Sequence, residues 1–220
     1  HDWDVAPGSK PCEMLKLFSA EGFSVACDAG IKHGTVAVRC GDDICEVTTF
    51  RCDGEYEDHR RPNSVEFSDS VVCDLARRDF TMNAVAARPD GDGNVKIIDP
   101  FRGAEDIKNK ILRSVGDPEV RFSEDALRIL RAVRFSSELG FDAEENTAAA
   151  AVKLKETLSF VSVERITSEL WRTLCGSFIG MALSRFGDII RYIAVTDAGG
   201  SFFKYIGETE NPAVRLALLA

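Results

Sequence analysis

Asp2 and Asp4, separated by one residue in the opening HDWDVAP, are the first pair of side chains able to hold a cation. In a strand, residues two apart point to one face. Two carboxylates on one face offer the oxygen ligands that a hard divalent ion such as Mg²⁺ prefers. Acidic residues near a chain end are also common, so the pair alone reads more simply as a solvated terminus.

A second set lies in RRDFTMNA, residues 77–84. Adjacent arginines supply two planar donor forks, Asp79 supplies an acceptor and Asn83 an amide, which suits a phosphate and a ribose hydroxyl. The same stretch also reads as the start of an amphipathic helix, with Phe80 and Met82 packed and the arginines solvated. Residue type alone does not choose between the two.

The third set is SEDALRILRAVRF, residues 123–135. Ser123, Glu124 and Asp125 predict a helix start, with acids favoured by the helix dipole. Asp125, Arg128, Arg131 and Arg134 step by three along one side, and Leu127, Ile129, Leu130 and Val133 take the other. Ordinary ion pairs three apart would account for this, at a few tenths of a kcal/mol each. There is a more specific possibility. A carboxylate accepts hydrogen bonds and a guanidinium only donates them. Side by side they complement a base edge that carries an exocyclic amine beside a ring-nitrogen acceptor. Cytosine and adenine present that edge; uracil and guanine present the reverse. An Asp125–Arg128 pair would therefore accept CTP and ATP and reject UTP and GTP, leaving Arg131 and Arg134 for triphosphate or RNA phosphates.

These residues need elements to position them. DWDV predicts a short strand, and PCEMLKLFSAEG a helix with a glycine stop. GTVAVRC and CEVTTFR predict an antiparallel pair around the turn GDD. Residues 52–70 are polar and turn-rich, which predicts a mobile loop. DLARRDFTMNAVAARP predicts a helix running toward a second hairpin around DGDGNVKIIDP. From Asp117 onward DPEVRFSEDALRILRAVRFSSELG, DAEENTAAAAVKLKETL, SVERITSELWRTLCG and GSFIGMALSRFGDIIRYIAV all carry helical periodicity. The expected fold is a mixed α/β head, its sheet mainly antiparallel, followed by an all-helical part.

Composition bounds the partners. The 220 residues contain 45% hydrophobic and 29% charged residues, ordinary for a globular protein. No stretch approaches the roughly 18 apolar residues needed to span a bilayer, and no signal-peptide pattern stands in the first residues given. Seven cysteines without a C-x-x-C pair point to free thiols in a reducing cytoplasm rather than to a disulfide framework or zinc site. A net charge of −9 argues against indiscriminate nucleic-acid binding, which needs a broad basic surface; clustered basic residues remain compatible with an RNA partner.

Taken together, the segments resemble one family, the class II tRNA nucleotidyltransferases or CCA-adding enzymes, which share their catalytic core with bacterial poly(A) polymerases. The resemblance rests on DWDVA at 2–6, GIKHGTVAV at 30–38, EVTTFR at 46–51, DLARRDFTMNA at 74–84, IIDPFRG at 97–103, EDALRILRAVRF at 124–135 and ERITSEL at 164–170, in the family's order. It implies a nucleotidyltransferase head (1–116), a helical neck that binds nucleobase and RNA (117–175) and the start of a helical body (176–220). Asp2 and Asp4 match the D-x-D pair that holds Mg²⁺, with Glu46 as a third catalytic carboxylate on the facing strand. Two metals would activate the RNA 3′-hydroxyl and stabilise the leaving pyrophosphate. Arg78 matches the nucleotide-contacting arginine, with Asp79 and Asn83 as ribose and local-structure residues. Asp125 and Arg128 match the protein template for bases, and Arg131 and Arg134 further nucleotide contacts.

The implied activity is template-independent addition of C, C and A to the tRNA 3′ end and acceptor stem from CTP and ATP. It would take place in the cytoplasm, with no membrane and no stable protein partner. A bacterial poly(A) polymerase, or a split CC- or A-adding enzyme, shares the core and is the alternative. Family members carry G-G-x-V-R-D upstream of D-x-D and a longer body and tail. The expectation is therefore a fragment that binds nucleotide or RNA with little activity of its own.

Overall fold

The computed structural model describes residues 4–27, 30–53, 65–194 and 209–219, and the chain divides into two units. The first comprises His1–Glu57 and Pro62–Arg77; the second comprises Arg78–Ala220 with Asp58–Arg61. Among the described residues no helix is long and apolar enough to cross a membrane.

The first unit is built on a four-stranded sheet. Its strands are β1 (Asp4–Val5), β2 (Val25–Cys27), β3 (Thr35–Cys40) and β4 (Asp43–Thr48), in the order β1-β4-β3-β2. β1 runs parallel to β4, and the other neighbours are antiparallel. The β3–β4 hairpin turns through Gly41 and Asp42, and Gly41 supplies the positive φ (66°) that the tight turn needs. Helix α1 (Pro11–Ala20) opens on a proline whose missing N–H costs nothing at that position, and Glu13 accepts from the Lys10 N–H at 2.9 Å. Its Met14 joins Val36, Val38 and Val47 in a small core, completed at its edge by Leu15, Phe18 and Ile31. Alternate residues of β3 point into this core, the period a half-buried strand dictates.

The segment expected as one polar loop differs at both ends. Strands β5 (Arg51–Asp53) and β6 (Val65–Phe67) pair antiparallel, and residues 54–64 lie outside the described residues. Helix α2 (Val71–Ala76) follows, capped by the Ser70 hydroxyl. A disulfide joins Cys52 to Cys73, which corrects the expectation that all cysteines are free thiols. The β5–β6 ladder returns the chain to the start of α2, leaving these two Cα atoms 5.5 Å apart, within disulfide reach. Spacing along the sequence gave no sign of this.

The second unit begins with a hairpin of β7 (Ala86–Pro89) and β8 (Val95–Ile98), as the DGDGN turn predicted. After α3 (Gly103–Asn109), β9 (Ile111–Leu112) pairs in parallel with β10 (Asp142–Ala143). Around them pack α4 (Pro118–Glu124), α5 (Leu127–Leu139), α6 (Glu145–Lys153), α7 (Val163–Cys175), α8 (Ile179–Ala194) and a final helix, Pro212–Leu219. The apolar stripe of α5 is buried as its periodicity requires: Ile129, Leu130 and Val133 are all within 2% of fully buried, alongside Phe122, Leu158, Leu174 and Phe186. Each such side chain contributes about 1.5–3 kcal/mol relative to exposure, which holds α5 against α7 and α8.

Two expected helices end differently. α2 stops at Ala76, so RRDFTMNA is not a helix but an extended corner followed by a 3₁₀ turn, Thr81–Asn83. The pattern from Asp117 to Gly140 is two helices, because Asp125 adopts φ −143°, ψ 104° between them. Glu124 therefore ends α4 rather than starting α5.

Candidate functional site

The acidic pair begins in the first unit. Asp2 lies outside the described residues. Asp4 sits on β1 as the register partner of Glu46 on β4, and Glu46 is exposed. The strand expected to face the D-x-D pair is thus its immediate neighbour. All three candidate ligands are carboxylates, an oxygen-only set of the kind that suits Mg²⁺ rather than a softer ion. Among the described residues no group of three or more His, Cys, Asp or Glu gathers as a metal centre.

The RRDFTMNA corner is organised by Asp79, which is 9% exposed. One carboxylate oxygen accepts from the Phe80 N–H at 2.8 Å and from the Asn83 amide at 3.0 Å. The other accepts from Arg131 Nε of α5 at 2.6 Å. Side-chain-to-backbone bonds of this kind compete with a helix, and here they replace it. Arg77 is spent locally on Asp74 at 2.9 Å, while Arg78 is half-buried. Phe80 is fully buried, with its ring edge-to-face with Phe135, centroids 5.7 Å apart.

From the other side, the IIDPFRG segment props this corner. The Asp99 carboxylate accepts from the Gly103 and Ala104 N–H groups at 2.7 and 2.9 Å. The Thr81 hydroxyl donates to the buried Asp106 at 2.7 Å. Gly103 lies so close to the turn that a Cβ there would overlap the Thr81 carbonyl.

The proposed base edge has a pairing that residue type did not reveal. One oxygen of Asp125 caps α5 by accepting from the Leu127 N–H at 3.1 Å; the other accepts from Arg165 of α7 at 3.0 Å. Arg128 donates to Glu124 at 2.6 Å and to the Arg121 carbonyl at 2.9 Å. Each member of the pair is therefore held by its own counter-charge.

Arg131 also lies over the Phe135 ring, 5.2 Å from its centroid. Arg134 differs from the expectation that it stays available for phosphates. It is 2% exposed, donates to Glu169 and Glu138 at 2.6 Å each, and stacks 3.9 Å over Phe135. Arg165 and Glu169, four apart on one face of α7, are the residues sequence reasoning left without a role. The signal for them was present in the spacing of ERITSEL.

Two family models match the chain: the poly A polymerase head domain over residues 1–113, and a probable RNA and SrmB-binding site of polymerase A over residues 140–183. A CCA-adding enzyme of Oceanobacillus iheyensis is 46% identical over 189 residues, covering 86% of this chain and 45% of the relative. One from Geobacillus sp. (strain WCH70) is 48% identical over 183 residues, covering 83% and 43%. The chain thus spans less than half the length of these relatives. Among solved structures, the Bacillus stearothermophilus CCA-adding enzyme in complex with CTP superposes with a TM-score of 0.79 at 39% identity, covering 94% of this chain and 48% of that one. This is the mixed α/β head with helices after it that the sequence predicted. With a head-domain match running over more than half its length, the chain belongs to the poly A polymerase head domain family.

Proposed function

We propose that the chain is the nucleotide-handling part of a CCA-adding tRNA nucleotidyltransferase, which extends the tRNA 3′ end with C, C and A from CTP and ATP and releases pyrophosphate. The observation that carries this reading is the likeness to proteins called CCA-adding enzymes through the helical part as well as the head. The proposal includes the division into head (1–116), neck (117–175) and body (176–220), and a cytoplasmic location. The Cys52–Cys73 disulfide is the observation that such a location must accommodate.

In this reading Asp2, Asp4 and Glu46 hold Mg²⁺, supported by the Asp4–Glu46 register and the all-oxygen donor set. Bound there, the ion supplies activation of the RNA 3′-hydroxyl and offsets charge on the departing pyrophosphate. Arg78 and Arg131 bind phosphate oxygens, and Asp79 with Asn83 fixes the corner beside them. Asp125 accepts from the exocyclic amine of cytosine or adenine, and Arg128 donates to the adjacent ring nitrogen. Arg134 acts from behind, holding α5 to α7. The family-model description favours one second reading, a poly(A) polymerase on the same core.

A product ladder separates the two. When the chain is supplied with its flanking sequence, tRNA lacking its terminal CCA should gain one CCA and stop when CTP and ATP are both present, gain only C residues from CTP alone, and gain no tail from ATP alone. Long A tails from ATP alone would replace the first reading by the second. Asp4→Ala should abolish either activity without lowering the melting temperature.

A further inference from the structure

Helix α2 is joined to strand β5 by a sulfur bridge and, one residue along, by a carboxylate. Cys52 of β5 is bonded to Cys73 of α2. Beside them, Asp74 accepts from the Arg51 N–H at 3.1 Å, and the same oxygen accepts from Arg77 Nε at 3.0 Å. Asp74 is 3% exposed, so this polar tie is sheltered from water. The covalent tie is less enclosed. Cys52 and Cys73 are half-buried, which leaves their bond open to a small thiol.

The pairing is selective. Cys12, Cys40 and Cys175 are exposed, Cys45 is half-buried, and all four are free thiols. Disulfides of cytoplasmic proteins are as a rule transient and redox-sensing rather than structural. In the location proposed above, a single bond among free thiols is therefore one that forms and breaks. Its place gives that change a consequence. α2 ends at Ala76, Arg77 folds back onto Asp74, and Arg78 and Asp79 of the RRDFTMNA corner follow directly. With both ties made, the end of α2 is fixed; with the sulfurs reduced, the carboxylate must hold it without them.

We propose that Cys52–Cys73 is a redox modification site that tunes nucleotide affinity: oxidised, it fixes α2 and pre-organises Arg78; reduced, it loosens α2 and weakens the phosphate contact. This rests on the reading of Arg78 as a phosphate-binding residue. The reaction is thiol–disulfide exchange with a low-molecular-weight thiol. One thiolate attacks a cysteine sulfur, breaks the S–S bond and releases the other cysteine as a thiolate. A second thiolate attacks the small molecule's sulfur in the mixed disulfide and releases the remaining cysteine. Two cysteine thiols and one small disulfide result, with two electrons and two protons passed to the protein, and the small disulfide drives the reverse.

The test equilibrates the 220-residue chain across a series of reduced-to-oxidised glutathione ratios, at a temperature where both forms are folded. Alkylation and mass spectrometry count the free thiols, while ATP affinity and amide exchange in Val71–Ala76 are measured at each ratio. The expected result is that Cys52 and Cys73 pass together and reversibly from bonded to free within the series. Amide exchange in α2 rises and ATP affinity falls about three- to tenfold, which is what ordering one long side chain costs. Cys52→Ser/Cys73→Ser matches the reduced chain and ignores glutathione, whereas Cys12→Ser responds as wild type does. A bond that survives every ratio, or that never forms, overturns the proposal. So does a reduction that leaves ATP affinity unchanged while Arg78→Ala lowers it. If neither reduction nor Arg78→Ala alters ATP affinity, yet α2 exchange follows the bond, the reading of Arg78 is what fails.

Discussion

Arg134 offers the sharpest test of how the helical unit is held, because its guanidinium and its main partner are both buried. The side chains of Arg134 and Glu169 are 3% and 10% exposed, and they meet at 2.6 Å. Arg134→Met preserves length and apolar volume but leaves the Glu169 carboxylate uncompensated. Removing one member of a buried pair costs about 3–5 kcal/mol. For a chain of this size each kcal/mol lowers the melting temperature by about 2–4 °C, so the expected drop is roughly 6–20 °C. Glu169→Leu should cost less, about 1–2 kcal/mol, because Arg134 retains Glu138 at 2.6 Å and the Phe135 ring. The double variant Arg134→Met/Glu169→Leu should regain most of the loss, since a buried ion pair replaced by apolar groups is close to neutral. Thermal and urea denaturation followed by circular dichroism measure all three. If Arg134→Met melts within about 2 °C of wild type while nucleotide affinity falls, the buried pair is not what holds α5 to α7, and Arg134 belongs among the phosphate-binding residues after all.

Glu46→Gln should abolish nucleotide transfer by the full-length protein yet shift stability by no more than about 0.5 kcal/mol, since Glu46 is exposed on β4; a variant that keeps its turnover would remove it from the catalytic set. Glu144 caps α6: partial burial pushes its carboxyl up, but the Thr147 N–H and hydroxyl, the Asn146 N–H and Arg113 outweigh this and hold it below its ordinary 4.5. Its contribution is therefore present above pH 4.5 and lost as pH falls through the lowered folded value, so Glu144→Ala should cost about 1 kcal/mol at neutral pH and progressively less in acid, as denaturation series at several pH values would register. Reducing the Cys52–Cys73 bond, which closes a separation of 21 residues, should lower the stability of the first unit by about 3 kcal/mol, and mass spectrometry should find both thiols refractory to alkylation until a reductant is added.

What the sequence made legible follows from periodicity and residue chemistry. The buried stripe Leu127, Ile129, Leu130, Val133 and the alternation in TVAV have only one geometric reading each. The break at Asp125 has no such signature. No glycine or proline marks it, and an acid after Ser123 imitates a helix start; only the packed structure shows Glu124 closing one helix as Asp125 caps the next. RRDFTMNA misled for a related reason, since the bonds from Phe80 and Asn83 that undo its helix converge on the side chain of Asp79. The candidate site was legible as types and spacings. Which charge meets which was not, because Arg165 and Glu169 find their partners across forty and thirty-five residues.

Gly103 carries a consequence for genetics. Anything larger there must push the Thr81 turn aside, and with it Asn83, which bonds Asp79 at 3.0 Å. If the arginines of this corner bind nucleotide as proposed, a random screen for chains that bind it poorly should therefore recover position 103 beside them. Its alleles will be repaired by second-site changes that loosen the α3 start, not by more nucleotide.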